Sequence, residues 1–402
     1  MSYFPGDLIP EILTQLPAKT LLRFLCVSKQ WHDLIKHPDF KKIHLKRSIE
    51  TNRDRTIIYT NYKHTDPSPK YFSVSYLDEN RLSKAIEIKP PLSHDFMETD
   101  IVGCYGGLVC IQNKTSRKIA IWNPVIRSYR KLPPELPSHS HSSLLVGTGF
   151  ILYAFGYDPH KDDYKVLRLL EILDLKRVFE VNYEVQLYSL RSNSWKKIKQ
   201  EWPNKFLSIR REESGTWFNG AFHWLIAPPR QREVPLSLVG FNLATEKFKV
   251  FSTPFQPKRY PWELLLNYEW CERLEVLGGH LCFIRTDMGN NNEVWMMKKY
   301  GIQSSWSRIY KISKPKLMME KPLIFSKDCK KLMLEEPLKG LFEKKVKNQL
   351  DPFKTATCIA SLHLLEPHHD VIEKTTLILK NQVTSFLSIG ILSITMLKTI
   401  LS

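Results

Sequence analysis

A change of hydrophobic period near the start of the chain constrains its fold more than any other feature. Across Phe4–Ser48 (FPGDLIPEILTQLPAKTLLRFLCVSKQWHDLIKHPDFKKIHLKRS) the apolar side chains recur at helical spacing, and from Arg55 onward they do not. A 3.6-residue stripe and a two-residue alternation bury their apolar faces differently, so the break divides the chain into a helical part and a strand-built part. In the first part Asp7 is a candidate N-cap, and Pro10 falls in the first turn, where its missing N–H costs little. Leu8, Ile12 and Leu16 follow at i, i+4 and i+8, with Leu13 beside them. Leu16-Pro17 stops this helix, because the residue before a proline is pushed out of the α region. Leu21, Leu22 and Leu25 mark a second helix. Ser28 caps a third, whose apolar face is Trp31, Leu34 and Ile35, and Pro38 ends it. Three short helices are expected, with more apolar side chains than a bundle of about 45 residues can hide.

Register and residue identity in this stretch resemble the F-box. Ile12-Leu13, Leu16-Pro17, Leu21-Leu22-Arg23, Val27, Lys29, Trp31 and Leu34-Ile35 stand where the family pattern has them. Phe4-Pro5 replaces the usual Leu-Pro, and Pro10 replaces a usual apolar residue. The resemblance implies binding to a Skp-type adaptor and, through it, to a cullin-based ubiquitin ligase. It implicates Leu8, Ile12, Leu13, Leu16, Pro17, Leu21, Leu22, Val27, Trp31 and Ile35, shared between the module's own packing and adaptor contact. Leu8, Ile12, Leu16 and Pro17 come first among the expected contacts.

After a charged link at residues 46–54, short β-branched and aromatic runs alternate with Pro, Gly, Asn and Asp. RTIIYT and YFSVSYL open the series, followed by VGCYGGLVCI with KIAIWNP, FILYAFGYDP with DYKVLRLLEI, WFNGAFHWLI, and RLEVLGGHLCFIRT with NEVWMMKKYG. The cycle repeats at roughly 50–60 residues, as a four-stranded propeller blade with variable loops requires. Gly107, Gly156, Gly220 and Gly279 mark successive units and are expected to let backbones crowd near an axis. Tyr129, Trp195, Phe248 and Trp306 recur on a later, third strand of the unit and are expected to pack between blades; fully burying one is worth about 1.5–3 kcal/mol.

These pieces resemble the F-box-associated, kelch-like region of the plant F-box family, and within it the S-locus F-box group. Tyr105-Gly106-Gly107-Leu108, Ile121-Trp122-Asn123-Pro124, Phe155-Gly156-Tyr157-Asp158, Ser194-Trp195, Asn219-Gly220-Ala221-Phe222-His223-Trp224 and Ser305-Trp306 carry the likeness. The expected architecture is α+β: an F-box at residues 4–48, an all-β propeller of about six blades at residues 49–365 closed by a strand at Thr355–Leu365, and a divergent apolar tail at residues 366–402. Asn381–Leu397 is uncharged and apolar-rich but short for a membrane span. It reads as a packed tail, a disordered end or a tail anchor, with membrane attachment the least favoured.

Composition narrows the function. Seven scattered cysteines without a CxxC pair point to reduced thiols in a cytosolic or nuclear protein. No phosphate loop, dinucleotide fingerprint or nucleophile elbow occurs. His139 and His141, and His368-His369, lack further ligands at metal spacing, and Asp158, Asp162 and Asp163 lack the rest of a calcium loop. No catalytic residue, cofactor or metal is therefore assigned. A helical hook on a rigid propeller is a bridge, with cargo expected on long loops. These are Asn61–Lys70, Pro133–Ser143, Gln200–Glu213, Pro228–Pro235, Pro257–Tyr268 and Asp287–Asn292, and Arg210, Arg211, Arg230, Arg232, Lys258 and Arg259 make three of them basic. A formal net charge of +18 favours an acidic protein cargo over the basic pistil ribonuclease that the S-locus likeness implies. Binding of nucleic acid or another polyanion is the alternative, although the basic residues form no single stripe.

Overall fold

The computed structural model describes residues 8–51, 55–61, 72–78, 81–82, 86–92, 99–113, 116–137, 146–174, 180–209, 214–227, 237–253, 272–286, 291–313, 321–325, 332–336, 340–341, 350–359 and 361–362. Its first part holds four helices: α1 (Leu8–Thr14), α2 (Ala18–Phe24), α3 (Lys29–Lys36) and α4 (Pro38–Glu50). Pro17 separates α1 from α2 as expected, and Ser28 caps α3, its Oγ accepting from Trp31 N at 3.1 Å. Asp7 lies outside the described residues. The expectation of three helices is corrected at Pro38, which ends α3 but also occupies the first turn of α4, where a proline is well accommodated. The charged link is helical as far as Glu50. Hydropathy conceals α4 because its buried stripe is Phe40, His44 and Ser48, spaced i, i+4, i+8 but two-thirds polar. His44 is accommodated by donating through Nε2 to Leu16 O at 2.8 Å.

The strands follow. A first sheet contains β1 (Arg55–Asn61), β2 (Phe72–Asp78), β3 (Arg81–Leu82) and β4 (Ile86–Ile88). Four complete blades succeed it in chain order, which makes this part a β-propeller. They are β5 (Thr99–Tyr105), β6 (Leu108–Asn113), β7 (Ile119–Asn123) and β8 (Ser128–Lys131); then β9 (Val146–Asp158), β10 (Asp163–Asp174), β11 (Val181–Ser189) and β12 (Ser194–Ile198). The next is β13 (Ser208–Ile209) with β14 (Thr216–Phe218), β15 (Ala221–Ala227), β16 (Ser237–Asn242) and β17 (Lys247–Ser252). The fourth is β18 (Arg273–Leu277), β19 (His280–Thr286), β20 (Asn291–Met297) and β21 (Trp306–Ser313). β22 (Lys321–Phe325), β23 (Leu332–Glu336) and β24 (Gly340–Leu341) form a three-stranded sheet. The last strand, β25 (Leu350–Ile359), runs antiparallel to β1 from Arg55↔Ile359 to Tyr59↔Thr355, so the end of the chain returns to its beginning.

The main core lies between blades. Val102, Cys110 and Ile121 of one blade pack with Phe155, Val166 and Tyr188 of the next; Leu167, Leu187 and Ala154 pack with Phe222, Trp224 and Phe241; Leu225 and Leu238 pack with Leu281 and Phe283. Two features of the repeat differ from expectation. Tyr129, Trp195, Phe248 and Trp306 stand on the last strand of their blades, opposite Trp122, Tyr188, Phe241 and Met297 of the preceding strand. The marked glycines do two different jobs. Gly220 (φ +75°) and Gly279 (φ +74°) lie in two-residue hairpin turns, after Asn219 and Gly278 that also have positive φ, and an added Cβ at either glycine meets nothing within 4 Å. Gly156 is inside β9, where a Cβ would come 2.6 Å from the Trp217 ring of the adjacent blade. There the glycine serves close approach.

Candidate functional site

The helices are too short to hold themselves and are organised by one small core. Leu13, Ala18, Leu21, Ile35 and Phe40 are buried together with Leu362 from the far end of the chain. Ile9, Leu16, Leu22, Phe24, Leu25, Trp31, Leu34 and Val125 cover this core and remain partly exposed, with the Phe24 and Trp31 rings 5.2 Å apart. The ten implicated residues therefore divide. Leu13, Leu21 and Ile35 are 1%, 0% and 2% exposed and belong to the module's own packing. Leu8 and Val27 are 43% and 57% exposed, Pro17 is exposed, and Ile12, Leu16, Leu22 and Trp31 are half-buried. These seven of the ten reach the surface of the module. The sequence reading missed Ile43 and Ile49, which are exposed on α4. Pro38 at a helix start was the signal that would have found their helix.

α4 fixes the module to one end of the strands. Lys42 Nζ lies 2.5 Å from Asp162 Oδ2, and Tyr157 OH donates to Asp162 Oδ1 at 2.5 Å. The hydrogen bond from Lys42, then that from Tyr157, hold the Asp162 carboxyl below its ordinary pKa. Leu45 packs so near Gly106 that a Cβ there would lie 3.3 Å from Leu45 Cδ2. Asn123 Nδ2 donates to Ser361 O at 3.1 Å, and Val125 packs on the helical core. Gly106, Val125 and Asp162 belong to turns that follow the first or third strand of a blade, and Asn123 is the last residue of such a third strand. The module thus covers the ends where those turns lie.

Antiparallel strands alternate in direction, so connections after second strands and between blades leave from the opposite ends. The strand ends flanking every candidate cargo loop are of this kind: Asn61 and Phe72, Lys131 and Val146, Ile198 and Ser208, Ala227 and Ser237, Ser252 and Arg273, Thr286 and Asn291. Arg210, Arg211, Arg230, Arg232, Lys258 and Arg259 lie outside the described residues. Two loop roots are described and are firmly held. At one, Trp195 Nε1 donates to Pro133 O at 2.9 Å, Leu136 N donates to Gln186 Oε1 at 3.0 Å, and Gln186 Nε2 donates to Leu136 O at 2.8 Å. At the other, Trp202 Nε1 donates to Leu207 O at 2.7 Å and Ile209 N donates to Tyr183 OH at 3.1 Å. Tyr183 OH in turn donates to buried Glu171, and burial, with that carboxylate, raises the tyrosine pKa. Leu136, Phe150 and Phe206 are exposed large apolar residues close to these roots or their supporting strands.

Reactive chemistry is not assembled among the described residues. No group of three His, Cys, Asp or Glu could hold a metal ion there. Cys26, Cys110 and Cys282 are free thiols; burial raises the Cys110 thiol pKa and pushes that of Cys282 up to about 12, which suppresses the thiolates of these two. His223 is pushed down to about 4 by burial, with Nε2 2.8 Å from Tyr300 OH. Asp158 Oδ1 accepts from His160 N at 3.0 Å as a turn residue. No described helix is long and apolar enough to cross a membrane, and Asn381–Leu397 lies outside the described residues.

Comparison with known proteins agrees with this two-part organisation. Residues 1–43 match the F-box domain, and residues 58–359 match the F-box associated beta propeller domain. The chain is 30% identical over 353 residues to F-box protein CPR1 of Arabidopsis thaliana, covering 83% of this chain and 80% of that one. It is 28% identical over 349 residues to F-box protein At4g22390 of Arabidopsis thaliana, covering 83% and 81%. It is 26% identical over 312 residues to F-box/kelch-repeat protein At3g23880 of the same plant, covering 77% and 79%. An F-box implies binding to a Skp-type adaptor, and F-box proteins are typically non-catalytic adaptors of ubiquitin ligase complexes. With a helical module at one end of the strands and the matched propeller following it, this chain belongs to the family of F-box proteins that carry an F-box-associated β-propeller.

Proposed function

We propose that this protein is the substrate-recognition subunit of a Skp–cullin–F-box ubiquitin ligase. The observation that carries the reading is the apolar surface of Leu8, Ile12, Leu16, Pro17, Leu22, Val27 and Trp31, on a module held at the strand ends opposite the long loops. A partner on that surface and a cargo on those loops are kept apart by a rigid body, and proximity to a ubiquitin-charged enzyme then performs the catalysis. In this reading the propeller has six blades. The order of inter-blade neighbours supports the count, running from β25 to β5, β9, β14, β18, β22 and back to β25. The helical domain extends to Glu50, where α4 ends. The net charge of +18 favours an acidic protein as cargo and weighs against a basic ribonuclease of self-incompatibility. Free described cysteines fit a reducing cytosolic or nuclear setting.

The experiment is calorimetric titration of the full chain with a Skp-type adaptor, comparing wild type with Val27→Asp. A fragment of the helices alone is unsuitable, since Leu362 and Val125 complete their core. Micromolar or tighter binding that is lost in Val27→Asp, at unchanged melting temperature, is the expected result. Equal binding by both chains, or none by wild type, refutes the reading.

A further inference from the structure

The two ends of the described chain are fastened at one place. β25 pairs with β1, and three residues beyond Ile359 the chain enters the helical module at Leu362. Ser361 is 1% exposed, and its carbonyl accepts from Asn123 Nδ2 at 3.1 Å. Leu362 is 4% exposed and packs with Leu13, Ala18, Leu21, Ile35 and Phe40. Asn123 serves both sides of the joint: its Oδ1 accepts from Val125 N at 3.0 Å, and Val125 packs on the same core. The side chain that fills the back of α1–α4 is therefore supplied from more than 300 residues away in sequence.

We propose that Leu362 is a positioning residue for adaptor binding, seating in the helical core only when β25 has paired with β1, so that a completed propeller is a condition of adaptor recognition. The inference rests on the adaptor reading above. Its physical basis is the size of the helices. α1 and α2 have seven residues each and α3 has eight, too few to stand without tertiary packing. Leu13, Leu21 and Ile35 face inward from these helices, and Ile12, Leu16, Leu22 and Trp31 lie on or beside the same helices with partial exposure. Unseating Leu362 uncovers the inner set and lets the outer set move. The coupling must be reciprocal, because a ligand that prefers the seated form stabilises it by its own differential affinity. A chain whose last strand is unfolded or lost would then fail to engage the ligase.

The test is amide hydrogen exchange read by mass spectrometry on the full chain, with and without a Skp-type adaptor, together with the adaptor Kd of Leu362→Ala and Leu362→Met. If unseating β25 abolishes binding, adaptor at about a hundredfold above its Kd slows exchange in Leu350–Ile359 about a hundredfold. Leu362→Ala is expected to weaken adaptor binding about tenfold or more and to speed exchange in α1–α4, with β10 and β11 unchanged. Leu362→Met, which keeps the volume, restores both. The inference is overturned if saturating adaptor leaves β25 exchange unaltered or Leu362→Ala binds as wild type does. Loss of protection in β10 and β11 as well would make Leu362 a general stability residue and overturns it equally. A wild-type chain that does not bind the adaptor refutes the adaptor reading itself, and that measurement alone tells the two failures apart.

Discussion

Leu21→Ala separates core from contact within the F-box. Leu21 is 0% exposed on the seven-residue α2, surrounded by Leu13, Ala18, Ile35, Phe40 and Leu362. Truncating a fully buried leucine costs about 2–5 kcal/mol, the lost transfer energy plus the cavity that short helices cannot collapse around. A folded domain is stabilised by about 0.05–0.15 kcal/mol per residue, so a module of about 40 residues has roughly 2–6 kcal/mol to lose. The substitution therefore removes most of the local stability of α1–α4. The propeller blades, whose cores lie elsewhere, should keep theirs. Hydrogen exchange resolves the two parts where a single melting temperature does not, because a chain of 402 residues need not unfold in one step. The expected pattern is loss of protection across α1–α4, with β10, β11 and β15 retained. Full protection of the helices combined with a selective loss of adaptor affinity would refute the assignment, since it would make Leu21 a contact side chain.

Further perturbations address the propeller. Gly156→Ala drives a Cβ to 2.6 Å from the Trp217 ring and should cost about 1–3 kcal/mol by overpacking between blades. Gly220→Ala meets no neighbour and should cost only the left-handed backbone penalty of about 1–2 kcal/mol. Chemical denaturation of the two variants, with near-UV circular dichroism reporting aromatic packing, checks the difference; the reading fails if Gly156→Ala leaves that spectrum unchanged. His223, at about 4 in the folded chain against an ordinary 6.5, should make stability depend on pH. Its folded-state pKa is lowered, so the unfolded chain binds the proton first, and stability is complete above about 6.5 and falls as the pH drops toward 4. His223→Gln should flatten the stability profile between pH 7 and 5, measured by urea denaturation, and an unchanged slope would exclude His223 as its source.

Much of the fold was legible from local pattern. Pro17 and Ser28 punctuate the helices as their chemistry requires, and the alternation of β-branched runs with turn residues marks the blades. α4 was not legible, because its buried stripe passes through His44 and Ser48, and the hydrogen bond from His44 that permits this burial goes to Leu16, in the turn between α1 and α2 and 28 residues away in sequence. The common role assigned to the glycines was half right for a similar reason. Gly156 and Gly220 look alike in a repeat, but one faces a ring from the next blade and the other faces open space.

The amino-acid sequence by itself determined the division into a helical module and a strand-built body, the register of the F-box and the rhythm of the propeller. These depend on period, caps and turn chemistry, which act between residues a few positions apart. Only the tertiary structure decided which of ten apolar residues are core and which are surface. An amphipathic helix specifies its apolar face and leaves open what covers it. Here α4 and Leu362 cover Leu13, Leu21 and Ile35, while Leu8 and Val27 stay exposed. Burial is set by partners distant in sequence, and Leu362 completes its core from the opposite end of the described chain.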